Sequence, residues 1–152
     1  MKDKTEKIIA CAIEVHSTLG PGLLESVYEE ALAYEFELRG INFERQKEIM
    51  LEYKGKSIGP HRIDFLIEEQ VILEIKATEG MKKIFEAQVL TYMKAIKKKV
   101  GLLINFNVER LKDGIKRLVL SVRIRMNKRS QRGGKRIFCN SLILNILCVL
   151  CG

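Results

Sequence analysis

The sequence predicts a single α/β domain in the order ααβββαβ, with a further strand after it, and three observations predict it. Apolar residues open the chain at helical spacing, a spacing of two takes over from Phe43 to Ala77, and helical spacing then returns before one more apolar run. A chain of 152 residues has room for one buried core. With 47% hydrophobic and 30% charged residues, and only 11 Gly and 2 Pro, it fits neither a disordered polyelectrolyte nor a fibrous chain.

Residues 5–19 carry Ile8, Ile9, Ala12, Ile13 and His16 at the i, i+3, i+4 spacing of an amphipathic helix, which Gly20-Pro21-Gly22 must end. A second helix is expected from about Leu23 to Arg39, with Leu24, Val27, Tyr28, Ala31 and Leu32 on its apolar face and Gly40 as its stop. Ile49, Leu51 and Tyr53 then alternate with polar residues up to Lys54-Gly55-Lys56, a hairpin signal, and Ile63, Phe65 and Ile67 alternate in the returning strand. Past a turn at Glu68-Glu69-Gln70, Val71–Ala77 is apolar enough to be buried on both faces and completes an antiparallel meander. Residues 82–97 read as a third helix with Ile84, Phe85, Tyr92, Ala95 and Ile96 in one stripe. Val100–Phe106 is a fourth strand, and Ile115–Leu120 a fifth after Asp113-Gly114.

Ionisable residues interrupt this pattern in one place. Side chains two apart in a strand share a face, so Glu74 and Lys76 point to one side while Leu73, Ile75 and Ala77 point to the other. A three-residue turn pairs Ile67 with Val71 and sets Asp64 across from Glu74, where two like charges repel. A divalent cation such as Mg²⁺ or Mn²⁺ relieves that repulsion, because it takes one or two carboxylates with waters and phosphate oxygens. Lys76 beside it would favour a hydroxide nucleophile and stabilise a phosphorane-like transition state. By spacing alone an ordinary cross-strand ion pair is the commoner outcome. The helices shift that balance: Gln88 falls in the middle of an apolar stripe and needs a polar site to face, and Glu25 borders the apolar face of the second helix. Glu25 taken alone also fits a first-turn acid placed on the helix dipole.

Together these residues resemble the PD-(D/E)XK nuclease superfamily, RecB-like, and from about residue 6 to residue 120 the chain looks like its small GxxExxY protein family. The naming motif stands as Gly22-Leu23-Leu24-Glu25-Ser26-Val27-Tyr28, after His16-Ser17-Thr18-Leu19-Gly20-Pro21. The nuclease signature is Asp64, nine residues, then Glu74-Ile75-Lys76, followed by Gln88-Val89-Leu90-Thr91-Tyr92, similar to the QxxxY element of RecB-like exonucleases. The resemblance implies an αβββαβ core, a mixed sheet flanked by helices, with an extra N-terminal helix. It implies Asp64, Glu74 and Glu25 as metal ligands, Lys76 as catalytic lysine with Asp64, Glu74 and Gln88, and Tyr92, Gln88 and Arg62 toward substrate. The function it implies is a Mg²⁺- or Mn²⁺-dependent deoxyribonuclease. The alternative is a catalytically silent nucleic-acid-binding or assembly module that keeps the fold. Lys97-Lys98-Lys99 departs from the small turn that family members more often have there.

The formal charge is +8, but seven of the 27 basic residues and none of the 19 acidic ones fall in 123–152. Residues 1–121 are therefore expected to be a nearly neutral domain, and 122–152 a basic and then hydrophobic tail outside the resemblance. The apolar stretch Ile137–Cys151 would span about 22 Å as a helix, short of a bilayer core, and no membrane partner is expected. An anchor or docking role for the tail is the competing expectation. Cys11, Cys139, Cys148 and Cys151 invite comparison with iron–sulfur clusters of some RecB-like nucleases, but their spacing departs from that pattern and no cluster is expected. A cytoplasmic location fits the lone body cysteine, Cys11, and a nucleic acid, DNA first, is the expected partner. The sequence leaves the oligomeric state open, a dimer included.

Overall fold

The computed structural model of the chain describes residues 2–122 and 146–148. Helix α1 (Lys2–Leu19) and helix α2 (Glu25–Leu38) are separated by the predicted glycine break, where Gly20 and Gly22 take φ of 72° and 93°, values that strain any residue with a Cβ. The sheet follows: β1 (Phe43–Tyr53), β2 (Lys56–Ile67) and β3 (Val71–Lys76) form the antiparallel meander. Helix α3 (Lys83–Ala95) crosses back to β4 (Val100–Asn105), which pairs with β3 in parallel, and β5 (Ile115–Val122) pairs antiparallel with β4. A three-residue strand, β6 (Ile146–Cys148), pairs with the end of β5, so the spatial order equals the chain order. The predicted α/β architecture is the observed one.

Tyr53 and Lys56 pair across Lys54 and Gly55, whose φ of 50° and 82° give the hairpin the left-handed turn that a two-residue connection needs. The next turn keeps the predicted register, Ile67 opposite Val71, but Glu68 and Glu69 take φ of 51° and 54° without any glycine to ease it. Between β1 and β2 the pairs Arg45–Phe65 and Lys47–Ile63 form, while the intervening Gln46–Asp64 pair is absent and Gln46 takes φ of 50°. That interruption corrects the expected alternation: Phe65 packs with α1 and α2, whereas Ile63 packs with Leu66 and Ile72 on the side of α3.

Two apolar layers therefore sandwich the sheet. Tyr28, Leu32 and Phe36 of α2 and Ile8, Cys11 and Val15 of α1 meet Phe65, Leu73, Ile75 and Ile104 on one face. Val89, Tyr92 and Met93 of α3 meet Ile72, Leu103 and Leu118 on the other. Three predicted stripes are rotated from their true positions. Ile13 is 46% exposed because the buried line runs through Ile8, Cys11, Ala12 and Val15, and Ile84 is 67% exposed because α3 buries Val89 and Met93 instead. In α2, Leu24 and Val27 stay outside, since the helix starts only at Glu25 and spaces Tyr28, Leu32 and Phe36 four apart. Helix α3 can lie this close to β4 because Gly101 faces it: a Cβ there would stand 2.6 Å from Val89 Cγ1 and 2.7 Å from Met93 Sδ.

Candidate active site

The carboxylates gather where β3 ends, between the first turn of α2 and the start of α3. Glu74 lies on the one face of β3 that α3 covers, and its side chain is 3% exposed. Burial, and then the neighbouring Asp64, push its carboxyl up to about 7. Gln88, one helical turn before Tyr92, donates from Nε2 to Glu74 Oε1 at 2.9 Å and to the Tyr92 hydroxyl at 2.9 Å. The amide that was expected to need a polar site thus faces one. Glu74 Oε2, by contrast, is buried without a hydrogen-bond partner.

Asp64 sits at the interrupted ladder position, and its Oδ2 accepts the Ile75 backbone N–H at 2.8 Å. A strand carbonyl would fill that role if the β2–β3 ladder continued, but the ladder ends at Phe65–Leu73, so the expected Asp64–Glu74 pair is absent and the carboxylate itself takes the N–H beside Glu74. Burial raises its pKa despite that bond. Lys76, 12% exposed, sets Nζ 3.1 Å from Glu74 Oε1 and 3.5 Å from Glu25 Oε1, with the Phe85 ring 5.8 Å away. Burial alone would weaken the ammonium, but Glu74, Glu25 and Asp64 outweigh it and keep the lysine charged above its ordinary range.

Glu25 owes its position to the turn before it. The Tyr28 hydroxyl donates to Gly20 O at 2.7 Å and accepts Leu23 N–H at 3.1 Å, while its ring stacks on Phe106 at 4.5 Å. Gly22 supplies the left-handed backbone, Tyr28 ties both ends of the loop, and Glu25 is left as the first residue of α2, pointing toward Lys76. The glycine, acid and tyrosine spaced three apart are therefore one mechanical unit.

Of the predicted residues, the structure brings Asp64, Glu74, Lys76, Glu25, Gln88 and Tyr92 together. Tyr92 is buried beneath Gln88, and Arg62 stands on the exposed stretch of β2 opposite Glu48. Sequence reasoning missed Gln46, whose Nε2 donates to Glu29 Oε1 at 2.9 Å and reaches Asp64 Oδ1 at 3.4 Å, and missed Arg45, which ion-pairs with Glu29 and Glu30. Glu29, four residues after Glu25 on the same helical face, was the available signal.

Among the described residues no group of three His, Cys, Asp or Glu side chains forms a ready metal cage. The donor set nevertheless fits a hard cation that keeps several waters: two crowded carboxylates and one buried carboxylate oxygen with nothing to bind. Cys11, the one described cysteine side chain, is buried in the α1 core, and Cys139, Cys148 and Cys151 lie outside the described side chains. The basic stretch 123–136 and the apolar stretch beyond it, Ile146–Cys148 apart, also lie outside the described residues. No described helix is long and apolar enough to cross a membrane.

A β-meander, a crossover helix and a parallel fourth strand, with two acids and a lysine at the strand ends, have the form of a nuclease core. A family model described as the PD-(D/E)XK nuclease superfamily matches residues 2–118, and the chain belongs to that superfamily, whose members are generally nucleases. Comparison with curated proteins and with solved structures returned no match.

Proposed function

We propose that this chain is a divalent-metal-dependent nuclease of the GxxExxY type that hydrolyses DNA phosphodiester bonds. The observation that carries the reading is Glu74: a buried carboxylate, crowded by Asp64, bridged to Lys76 and left with one unpartnered oxygen. Asp64 and Glu74 would hold Mg²⁺ or Mn²⁺, with Glu25 as a third acid. The bound ion would supply Lewis-acid polarisation of the phosphate and a more acidic water.

The side chains divide the remaining work. Gln88, itself held by Tyr92, fixes the orientation of Glu74 so that one oxygen is committed and the other is free. Lys76 is kept cationic beside the carboxylates, where its charge stabilises the negative charge that builds on phosphate oxygens as water attacks. Glu25 holds Lys76 from the α2 side, and Arg62 stands on the adjoining strand as a phosphate contact.

Purified protein should nick or degrade DNA with Mg²⁺ or Mn²⁺ and stop in EDTA. Lys76→Ala should lower the rate by about 10²-fold or more while leaving DNA affinity within a few fold. Equal cutting by Lys76→Ala and parent, or cutting in EDTA, rejects the assignment. Parallel single-stranded, double-stranded and RNA substrates test the DNA preference.

A further inference from the structure

The β1–β2 hairpin is far longer than the sheet requires. Its strands run 11 and 12 residues, yet β2 pairs with β3 only through Phe65–Ile67. The root of this ribbon rests on α3, where Ile49 is buried, Leu51 half-buried and the His61 ring 6.1 Å from Tyr92. Beyond Leu51 the tip stands in solvent, with Tyr53 61% exposed. Lys54 and Lys56 flank Gly55 in the left-handed turn, and the Lys54 ammonium lies 5.4 Å over the Tyr53 ring. Among the described residues Lys54 and Lys56 at the tip and Arg62 further down form no ion pair, although the ribbon also carries Glu48 across from Arg62 and Glu52 across from Ser57, while nearer its root Arg45 and Lys47 are held by Glu29, Glu30 and Glu44.

We propose that this ribbon is an arm that grips the phosphates of duplex DNA flanking the cleavage point. The inference rests on the nuclease reading and adds a substrate-binding surface to it. Unpaired cations on an exposed two-stranded ribbon match a polyanion, and such a ribbon is of a size that enters a groove. A second copy of the chain fits less well, because hairpin tips meeting about a two-fold axis would bring Lys54 and Lys56 against their own copies. Lys56 precedes Asp64 by eight positions on one strand, a reach of about 26 Å. At 3.4 Å per base pair, the gripped phosphates lie within about eight base pairs of the scissile bond.

The test uses the full chain and its Lys54→Ala/Lys56→Ala variant, whose changes are confined to an exposed turn. Affinities are measured by anisotropy on a duplex of about 24 base pairs and on a hairpin stem of about six, together with cleavage at limiting and saturating DNA. The variant should bind the long duplex about tenfold more weakly, with a salt slope smaller by about 2, and bind the short stem like the parent. Its cleavage should fall at limiting DNA and recover at saturation. Equal affinity of parent and variant for the long duplex overturns the arm, as does a parent dimer that Tyr53→Glu dissociates without weakening DNA binding. A parent that binds DNA through these lysines but cuts nothing with either metal rejects the nuclease reading and leaves the arm standing.

Discussion

Asp64 caps the backbone N–H of Ile75 with its own carboxylate at 2.8 Å, so the residue that faces Glu74 also closes the gap it leaves in the ladder. Structure and chemistry should therefore separate on substitution. Asp64→Ala leaves the Ile75 N–H without its acceptor and should cost about 1–3 kcal/mol. Asp64→Asn keeps an acceptor there, removes the repulsion with Glu74, and should melt at or above the parent in EDTA. Both should be inactive, and melts paired with a cleavage assay distinguish them.

The metal-free domain should lose stability as pH rises. Glu74 titrates near 4.5 when unfolded and at about 7 when folded, so the stability that favours its neutral form is full below about 4.5 and lost as pH rises through about 7. Asp64, also raised, acts in the same direction, while the raised Lys76 contributes no change in this window. The effect is on the order of 1–3 kcal/mol. Thermal melts in EDTA should fall from pH 5 to pH 8 by more in the parent than in Glu74→Gln, and Mn²⁺ should restore the parent at the upper end. Identical pH slopes for parent and Glu74→Gln would refute it.

Tyr28→Phe keeps the ring on Phe106 but frees both ends of the Gly20–Leu23 loop. A loss of about 1–2 kcal/mol is expected, together with slower cleavage because the first turn of α2 no longer fixes Glu25. Glu25→Gln should slow cleavage without the fall in melting temperature. Urea denaturation with kinetics on both variants checks the pairing of effects.

Gly101→Ala drives a methyl into Val89 and Met93 at the heart of the α3–β4 contact. About 1–3 kcal/mol of destabilisation is expected as Val89 and Met93 are pushed aside, disturbing the α3 face that carries Gln88 and Tyr92. Activity should fall further than the folded fraction explains, as measured by cleavage under fully folding conditions.

Register was legible wherever turn length sets it: the three residues after Ile67 fixed the Ile67–Val71 pairing, and Lys54-Gly55 marked its hairpin, but the expected Asp64–Glu74 pair does not form, because the ladder stops at Phe65–Leu73 and Asp64 turns its carboxylate to the Ile75 N–H. Helix faces were less legible, because Ile13, Leu24, Val27 and Ile84 are as apolar as the residues buried in their place. Periodicity finds a stripe but not its centre when apolar residues lie on both sides. The bend at Gln46 left no trace in composition, since nothing about glutamine announces a φ of 50°, and the contacts from Gln46 and Arg45 to Glu29 went unseen with it. The cluster was read from Asp64, Glu74 and Lys76 because ionisable groups in buried strands are rare enough to stand out.

Cys11 has no exposed area, and burial pushes its thiol up, further from the reactive thiolate. In a chain with Cys139, Cys148 and Cys151 replaced by serine, that thiol becomes a clock: a small alkylating reagent marks it only in molecules whose first helix has swung away from the sheet. The rate of marking then counts openings of the α1 layer, and its slowing by Mn²⁺ would show how far a charge bound at one end of the sheet holds the opposite layer shut.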